Sequence, residues 1–214
     1  MHLSLVQAIV NDGIQVAAQN VSATGEGAYT GEVAADAIKD YRIDWVLIGH
    51  SERRTFYDET QEIITAKVAE SEACGLGIVY CCGENESQRH EEQTESVVFE
   101  QLQALKDAEV TDFGKVVIVY EPLWAMGTGT IASADQTQES CEMIRQWVKE
   151  NIGAQQSELV RIVYGGSVTE TNGNYLIKLK DLDGFLVGST STKPIFRTIF
   201  DIVNDYVLEQ DALK

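Results

Sequence analysis

Basic residues are scarce in this chain of 214 residues, which has 16 Lys and Arg against 34 Asp and Glu and a formal charge of −18. Proteins bind a phosphate backbone with clustered Lys and Arg, so this composition argues against nucleic acids and anionic membranes as partners. The acidic residues are scattered along the chain rather than grouped in blocks, a pattern typical of a solvated surface.

Long apolar runs, proline-rich linkers and paired cysteine motifs are missing as well. No apolar run approaches the ~20 residues that span a bilayer. The first residues lack the basic region of a secretory signal. Cys74, Cys81, Cys82 and Cys141 show neither a CxxC pair nor a zinc spacing, so we expect free thiols in a reducing cytoplasm.

Short apolar, β-branched segments alternate along the chain with helical patterns. This alternation predicts parallel strands with right-handed crossovers, in either a doubly wound sheet or a (β/α) barrel. The predicted strands are 14–18, 45–48, 77–81, 116–120, 160–164 and 184–187. The predicted helices are 3–10, 32–40, 60–73, 88–108, 136–152, 172–180 and 194–208.

Glycine or a polar residue directly follows five of the predicted strands. The segments are 49–54 (GHSERR), 82–84 (CGE), 121–122 (EP), 165–167 (GGS) and 188–189 (GS). A barrel gathers its strand ends around one mouth, whereas a doubly wound sheet concentrates them at one switch point. Five such strand ends favour the barrel.

Glu121 follows the predicted strand 116–120 and precedes Pro122, Trp124 and two glycines. A carboxylate at this position can act as a base that removes a proton beside a carbonyl, and segment 122–130 has the composition of a movable lid. Closure of that lid would exclude water and raise the pKa of the base. A glutamate that caps the next helix is the alternative, and this segment alone does not decide between them.

His50 follows the predicted strand 45–48, and Ser51 is a good N-cap for the turn after it. The positive end of a helix dipole lowers the pKa of an imidazole, so we expect a neutral His50 that can donate a hydrogen bond to a carbonyl. A satisfied structural histidine is the alternative, and it is the better explanation of this residue taken alone.

Gly127 and Gly129 allow backbone N–H groups to approach an anion closely. Ser167 and Gly188 follow neighbouring predicted strands and could supply further N–H donors. Taken singly, each glycine indicates an ordinary turn. Taken together with the candidate base, these residues suggest a small phosphorylated carbonyl substrate that is held by backbone amides and needs no basic surface.

The chain resembles the triosephosphate isomerase family in segments that keep the family's order from near the start of the chain to its end. These are AQN at 18–20, GAYTGE at 27–32, IGHSERR at 48–54, CCGE at 81–84, YEPLWAMGTG at 120–129, YGGSV at 164–168 and GFLVG at 184–188. The resemblance implies one barrel domain over residues 1–214. It also implies that Glu121 moves a proton between adjacent carbons of dihydroxyacetone phosphate and glyceraldehyde 3-phosphate, a step of glycolysis and gluconeogenesis.

The resemblance assigns roles to the other candidate residues and implies no metal and no cofactor. Neutral His50 would polarise the carbonyl and stabilise the enediolate, a pairing with glutamate for which this family is itself a standard example. Ser51 and Glu52 would support the site. The phosphate would be held by the N–H groups of Gly127, Ser167, Gly188 and Ser189. The lid would contain Pro122, Leu123, Trp124, Ala125, Met126, Thr128, Gly129 and Thr130.

A homodimer and a cytoplasmic location are also implied by the resemblance. Loop 19–32 would reach into the partner subunit and bring Thr30 near the partner's site. Without the resemblance, the sequence of this loop would indicate only a long, glycine-rich connection.

The 214 residues depart from the family before the helix that begins near Leu3. The family has a strand, a helix and a second strand there, with an Asn-x-Lys motif, whereas no lysine precedes Lys39. We therefore expect six of eight βα units, open edges on strands 14–18 and 184–187, and weak or absent activity, because that lysine is the main cation of the family's site.

Two further consequences concern the residues that remain. Glu52 would lose its lysine partner and, as a partly buried carboxylate, should have a raised pKa or pair with Arg53 or Arg54. Ser189 stands where the family usually has glycine, so a positive φ there would be unfavourable.

Three readings of the whole chain stay open at this point. The sequence belongs to an isomerase and is incomplete, or it is a non-catalytic truncated isoform that acts as a phosphate-binding or protein-interaction module. A different phosphate-binding barrel enzyme is the third reading, which the context of Glu121 and His50 disfavours.

Overall fold

The computed structural model describes residues 2–11, 13–126 and 131–212. The strands in these ranges are β1 (Ala17–Ala18), β2 (Trp45–Ile48), β3 (Gly77–Cys82), β4 (Val116–Tyr120), β5 (Arg161–Tyr164) and β6 (Gly184–Phe185). The helices are α1 (Leu3–Ile9), α2 (Ala35–Asp40), α3 (Ser51–Phe56), α4 (Gln61–Ala73), α5 (Glu86–His90), α6 (Thr94–Asp107), α7 (Ala134–Asn151), α8 (Ala154–Leu159), α9 (Glu170–Leu176) and α10 (Phe196–Ala212).

The strands form one sheet in the order β1-β2-β3-β4-β5-β6, and every neighbouring pair is parallel. A doubly wound sheet reverses its order at a switch point, whereas a barrel adds strands in chain order. The observed order has no reversal, so the prediction of an incomplete (β/α) barrel is confirmed.

Helices cover the sheet with apolar side chains at helical spacing. Ile64 and Val68 of α4 and Ile144 and Val148 of α7 are fully buried one turn apart. The strands beneath them carry buried, mostly β-branched residues such as Ile118 of β4. Strands of this kind, apolar on both faces, belong in a parallel sheet covered by helices.

Both outer strands are shorter than predicted. β1 covers two of the five predicted residues and β6 covers two of four. Within the described residues, each of these two strands pairs with a neighbour on one side only. Fewer of their residues are therefore held by strand hydrogen bonds than in the inner strands. The expected open edges are therefore present in the described part of the sheet.

One predicted helix was wrong. The predicted helix 88–108 is divided into α5 and α6, because Glu92 adopts a left-handed φ of 59° that ends a helix. Helix α3 was expected only as a turn capped by Ser51, and the short helix α8 was not predicted.

All four cysteines are free thiols, and three of them are buried, with Cys74 partly exposed. Burial raises the pKa of Cys81 and Cys82, which leaves these thiols protonated and unreactive at neutral pH. Among the described residues, no helix is both long enough and apolar enough to cross a membrane.

Candidate active site

The site is built at the carboxyl ends of the strands. Ile48, the last residue of β2, is level with Tyr80 of β3, and Cys82 at the end of β3 is level with Tyr120 at the end of β4. His50 and Glu121 follow β2 and β4 within two residues. Because the sheet is parallel, both side chains reach the same rim, although β3 lies between their strands.

Glu121 is 1% exposed, and its carboxylate is held by Ser51. The backbone N–H of Ser51 donates to Oε2 at 2.9 Å, and the Ser51 hydroxyl donates to Oε1 at 3.2 Å. Nε2 of His50 lies 3.1 Å from the same Oε1. The structure therefore brings together three of the residues that the sequence singled out, with Glu121 at their centre.

Burial raises the pKa of Glu121 above its ordinary value. The His50 imidazole, the two donors of Ser51 and the more distant Arg54 oppose this rise, because each favours the ionised carboxylate. A raised pKa suits a carboxyl group that must both accept and return a proton near neutral pH.

His50, and not Ser51, is the N-cap of α3, which corrects the sequence prediction. Nδ1 of His50 accepts a hydrogen bond from the backbone N–H of Glu52 at 3.3 Å. Ser51 is instead the first residue of the helix, and its hydroxyl is engaged by Glu121. A ring nitrogen that accepts a hydrogen bond carries no proton, so this contact assigns the proton of a neutral His50 to Nε2, which faces Glu121.

A cavity of about 570 Å³ opens beside His50. Its wall is formed by residues at or after the ends of β1, β2, β5 and β6 and at the start of the lid. These are Gln19, Leu47, His50, Glu52, Met126, 165–169 and 186–190. The predicted phosphate-binding residues Ser167, Gly188 and Ser189 all line it. Among the hydrogen bonds of the described residues, none uses the N–H of these three residues as donor.

Four residues of the predicted lid lie outside the described residues: Gly127, Thr128, Gly129 and Thr130. The first part of the lid is described. Leu123, Trp124 and Ala125 form a 3₁₀ turn after Pro122, and Met126 reaches the cavity. The Ser167 hydroxyl donates to the carbonyl oxygen of Ala125 at 3.3 Å, which links the lid to the β5 end of the cavity.

The expectation of a partly buried Glu52 was wrong, because its side chain is 72% exposed at the first turn of α3. The nearest charged or titratable neighbour recorded for its carboxylate is Nδ1 of His50, at 3.8 Å. Arg53 pairs instead with Glu59, and Arg54 donates to Tyr80 of β3 and to Gln61 of α4. Solvent can therefore stabilise the charge of Glu52 without a cationic partner.

The expected strain at Ser189 is not observed. The described residues other than glycine with positive φ are Arg42, Asp58, Glu92 and Glu109. Ser189 instead begins a 3₁₀ turn at the mouth of the cavity. Thr30 is exposed at the tip of loop 19–32 and does not line the cavity.

Arg54 is a residue of the site whose role sequence reasoning missed. Its guanidinium donates to the carbonyl oxygen of Gly49 at 2.8 Å and to that of Cys81 at 3.2 Å. It also donates to the hydroxyl of Tyr80. One rigid, planar group thus joins the ends of β2 and β3 and fixes the residue that precedes His50.

Glu84 was also missed, although it stands in one of the strand-end segments. Its carboxylate is fully buried, and Oε1 accepts hydrogen bonds from Trp124 Nε1 at 2.9 Å and from the Tyr120 hydroxyl at 3.0 Å. Its carbonyl oxygen accepts the N–H of Leu123 at 3.1 Å. Glu84 therefore anchors the start of the lid to β3 and β4.

Two glycines leave the room that Glu121 needs. A Cβ at Gly83 would stand 1.8 Å from the Glu121 carbonyl oxygen, so no other residue fits there. A Cβ at Gly165 would stand 3.2 Å from Cγ of Glu121. The backbone of the neighbouring strand ends is thus closely fitted around the buried glutamate.

A (β/α) barrel with a buried glutamate beside an imidazole at its carboxyl rim places the chain in the class of barrel enzymes. A family model described as triosephosphate isomerase matches residues 1–205. The glycosomal triosephosphate isomerase of Trypanosoma cruzi is 43% identical over 203 residues, which cover 94% of this chain and 80% of the relative. The triosephosphate isomerase of Emericella nidulans is 44% identical over 205 residues, which cover 95% and 81%. The chain belongs to the triosephosphate isomerase family, as the sequence motifs predicted.

Proposed function

We propose that this chain is an aldose–ketose isomerase that interconverts dihydroxyacetone phosphate and D-glyceraldehyde 3-phosphate. Membership of the family supports this activity. The single observation that carries the proposal within the structure is the contact of the buried Glu121 carboxylate with Nε2 of His50 at the rim of the barrel.

Glu121 is the base in the proposed reaction. It removes a proton from the hydroxymethyl carbon of dihydroxyacetone phosphate, and the electron pair of that C–H bond forms the double bond of an enediolate. A proton passes from the oxygen of the first carbon to the oxygen of the second, and the protonated Glu121 then returns its proton to the second carbon as the carbonyl forms on the first. Its burial and raised pKa support both half-steps, because the carboxyl group must be stable with and without the proton.

His50 is the electrophile. With its proton on Nε2, a neutral imidazole can donate a hydrogen bond to the substrate oxygen that gains charge in the enediolate. The hydrogen bond from the N–H of Glu52 to Nδ1 supports this tautomer. Arg54 supports the position of the ring through the carbonyl of Gly49.

The phosphate is held by N–H groups of Ser167, Gly188 and Ser189, with Gly127 as a fourth donor from the lid. The first three line one cavity and make no hydrogen bond with their N–H groups to described residues, which supports this assignment. Closure of the lid 122–130 over the phosphate keeps water from the enediolate.

We also propose that a polypeptide of these 214 residues turns over slowly. Among the described residues, the wall of the cavity that holds the phosphate contains neither Lys nor Arg, so the phosphate meets no full positive charge there. Loss of one preorganised donor costs roughly 2.7–4 kcal/mol of transition-state stabilisation, and loss of a cation should cost at least as much. The expected rate is therefore lower than that of a site with the cation by at least about a hundredfold.

A coupled assay with glyceraldehyde 3-phosphate tests this proposal. The 214-residue polypeptide is compared with the same chain extended by a strand–helix–strand segment that carries Asn-x-Lys. We expect slow turnover for the first and at least a hundredfold faster turnover for the second. Equal rates would refute the role of the cation, and no turnover by either would favour the alternative, a non-catalytic phosphate-binding or interaction module.

A homodimer in the cytoplasm completes the proposal. The large apolar side chains of Tyr29 and Val33, in and just after loop 19–32, and of Phe56 and Tyr57, at the end of α3, are exposed, and a partner could bury them. Four free thiols suit a reducing compartment. Light scattering of the purified protein tests the dimer, and cell fractionation tests the location.

A further inference from the structure

Two hydroxyl groups at the cavity beside His50 have no hydrogen-bond partner among the described residues. They belong to Ser189 and Thr190, which are consecutive in the chain and both line this cavity. Neither Oγ of Ser189 nor Oγ1 of Thr190 takes part in the hydrogen bonds of the described part of the chain. A hydroxyl can donate one hydrogen bond and accept two, so both side chains keep this capacity for a ligand.

The other hydroxyl groups of the cavity wall are already engaged by the fold. Oγ of Ser167 donates to the carbonyl oxygen of Ala125 at 3.3 Å, which holds the start of the lid. Oγ1 of Thr169 accepts the N–H of Asn172 at 3.2 Å, which caps α9. The two hydroxyls after β6 make no such contact within the described residues. Binding of a ligand or of water is therefore the role left to them.

Hydrogen bonds within the turn hold the backbone that carries these two hydroxyls. The carbonyl oxygen of Ser189 accepts the hydroxyl of Thr192 at 2.9 Å, and the N–H of Ser191 donates to the carbonyl oxygen of Gly188 at 2.9 Å. A Cβ added at Gly188 would meet no atom within 4 Å, so there is open space beside the turn. A held backbone next to open space can present side chains to a ligand without first becoming ordered.

The ligand expected in this cavity has more acceptor sites than the backbone has donors. A phosphate monoester carries three terminal oxygens that accept hydrogen bonds strongly. The free N–H groups of Ser167, Gly188 and Ser189 supply three donors. Among the described residues the wall has neither Lys nor Arg, and its titratable side chains are His50 and Glu52. Further donors from this wall to the phosphate must therefore be uncharged polar groups.

We propose that the hydroxyl groups of Ser189 and Thr190 bind the phosphate group of the substrate, together with the three backbone N–H groups. The inference rests on the proposed isomerase function and adds two side-chain donors to the backbone donors named there. Ser189 contributes twice, through its N–H and through Oγ. Its side chain stands where the family usually has glycine, and it adds a contact with the phosphate rather than an obstruction.

Hydration is the alternative role for the two hydroxyls, because Ser189 is exposed and Thr190 is half-buried. Removal of a hydroxyl that only binds water would leave the affinity for an anion unchanged. A hydrogen bond to a charged group is stronger than one between neutral groups. Loss of one donor to the phosphate should therefore weaken binding about fivefold or more, which distinguishes the two roles.

Titration of the full 214-residue chain with methyl phosphate tests the proposal. Shifts of the amide NMR signals of Ser167, Gly188 and Ser189 give the affinity and show that the probe occupies this cavity. Ser189→Ala and Thr190→Val each remove one hydroxyl and keep the backbone N–H groups. We expect each variant to bind methyl phosphate about fivefold or more weakly than the parent does, and the double variant to bind it more weakly still.

Two further variants separate the hydroxyl from other effects of substitution. Ser189→Gly removes the Cβ as well, and it should weaken binding to about the same extent as Ser189→Ala. Ser191→Ala is the matched control, because Ser191 is an exposed residue of the same turn that does not line the cavity. Its affinity should equal that of the parent. Circular dichroism checks that all the variants keep the fold.

Parental affinity in Ser189→Ala or in Thr190→Val would overturn the assignment for that hydroxyl. Tighter binding by Ser189→Gly than by the parent would show that the side chain obstructs the phosphate, and no binding of methyl phosphate at this cavity would overturn the proposal as a whole. None of these readouts requires turnover. A chain that binds methyl phosphate through both hydroxyls but does not isomerise glyceraldehyde 3-phosphate would refute the proposed function and leave the phosphate contact intact.

Discussion

Oε1 of Glu121 lies 3.1 Å from Nε2 of His50, although the two residues follow strands that are separated by β3. Glu121 arrives from β4 and His50 from β2, and Ser51 binds the carboxylate between them. The parallel sheet makes this contact possible, because it delivers every strand end to one rim. A carbonyl compound beside this pair would meet a base and a hydrogen-bond donor together.

Replacement of Arg54 by lysine should displace His50. Lysine keeps the charge but cannot reach the carbonyls of Gly49 and Cys81 with one planar group. We expect a loss of about 1–3 kcal/mol in the free energy of unfolding and a shift of the His50 imidazole nitrogen signals in NMR spectra. Arg197→Lys, at a largely exposed position of α10, is the control. Unchanged His50 signals in Arg54→Lys would show that Arg54 does not position the ring.

Loss of the Trp124 indole N–H should loosen the start of the lid. Trp124→Phe removes a donor to Glu84 and should cost about 1 kcal/mol of stability, with faster hydrogen exchange at residues 123–126. Tyr120→Phe removes another donor to the same carboxylate oxygen from within β4. It should cost a similar amount and leave exchange in the lid unchanged. Equal exchange in both variants would contradict an anchoring role for Trp124.

Much of the fold could be predicted from the sequence, because the strands are short apolar runs with clear ends. All six were located, and the outer two differ most from the prediction, since a pattern of residues does not show how far an edge is paired. The length of α3, helix α8 and the break at Glu92 escaped prediction for a local reason. Six residues carry too little periodicity, and a left-handed glutamate has no sequence signature.

Part of the candidate site could likewise be predicted from the sequence, and part could not. His50, Glu121, Ser167, Gly188 and Ser189 could be placed at one rim because each follows a predicted strand. The contacts of Arg54 with Cys81 and of Glu84 with Trp124 could not be predicted, because the partners are distant in sequence and no spacing relates them. The exposure of Glu52 depends likewise on the orientation of α3, which the sequence pattern does not reveal.

The stability of the chain should depend on pH through Glu121. Burial raises its pKa above the ordinary value of 4.5, so the folded chain binds this proton more tightly than the unfolded chain does. The stabilisation is complete below the ordinary value and is lost as pH rises through the raised one. Glutamine does not titrate, so the Glu121→Gln variant does not lose stability in this way. As pH rises between the ordinary and the raised pKa of Glu121, the free energy of unfolding of the variant should therefore increase relative to that of the parent. Urea unfolding measured from pH 4 upward tests this.

The exposed Glu158 provides the matched control for this pH series. Glu158→Gln makes the same chemical change at an exposed position, so the pH dependence specific to the buried Glu121 is the difference between the two variants. A stability difference between Glu121→Gln and the parent that stays flat or decreases as pH rises would show that the pKa of Glu121 is not raised in the folded chain.

Exchange of substrate hydrogen with solvent is the most direct measurement of proton transfer by Glu121. Dihydroxyacetone phosphate is incubated with the 214-residue chain in D₂O, and deuterium at the hydroxymethyl carbon is followed by NMR. We predict incorporation faster than in buffer alone, unchanged in Glu158→Gln and reduced to the buffer rate in Glu121→Gln. Incorporation by Glu121→Gln at the parental rate, or by the parent only at the buffer rate, would contradict the assignment of Glu121 as the base.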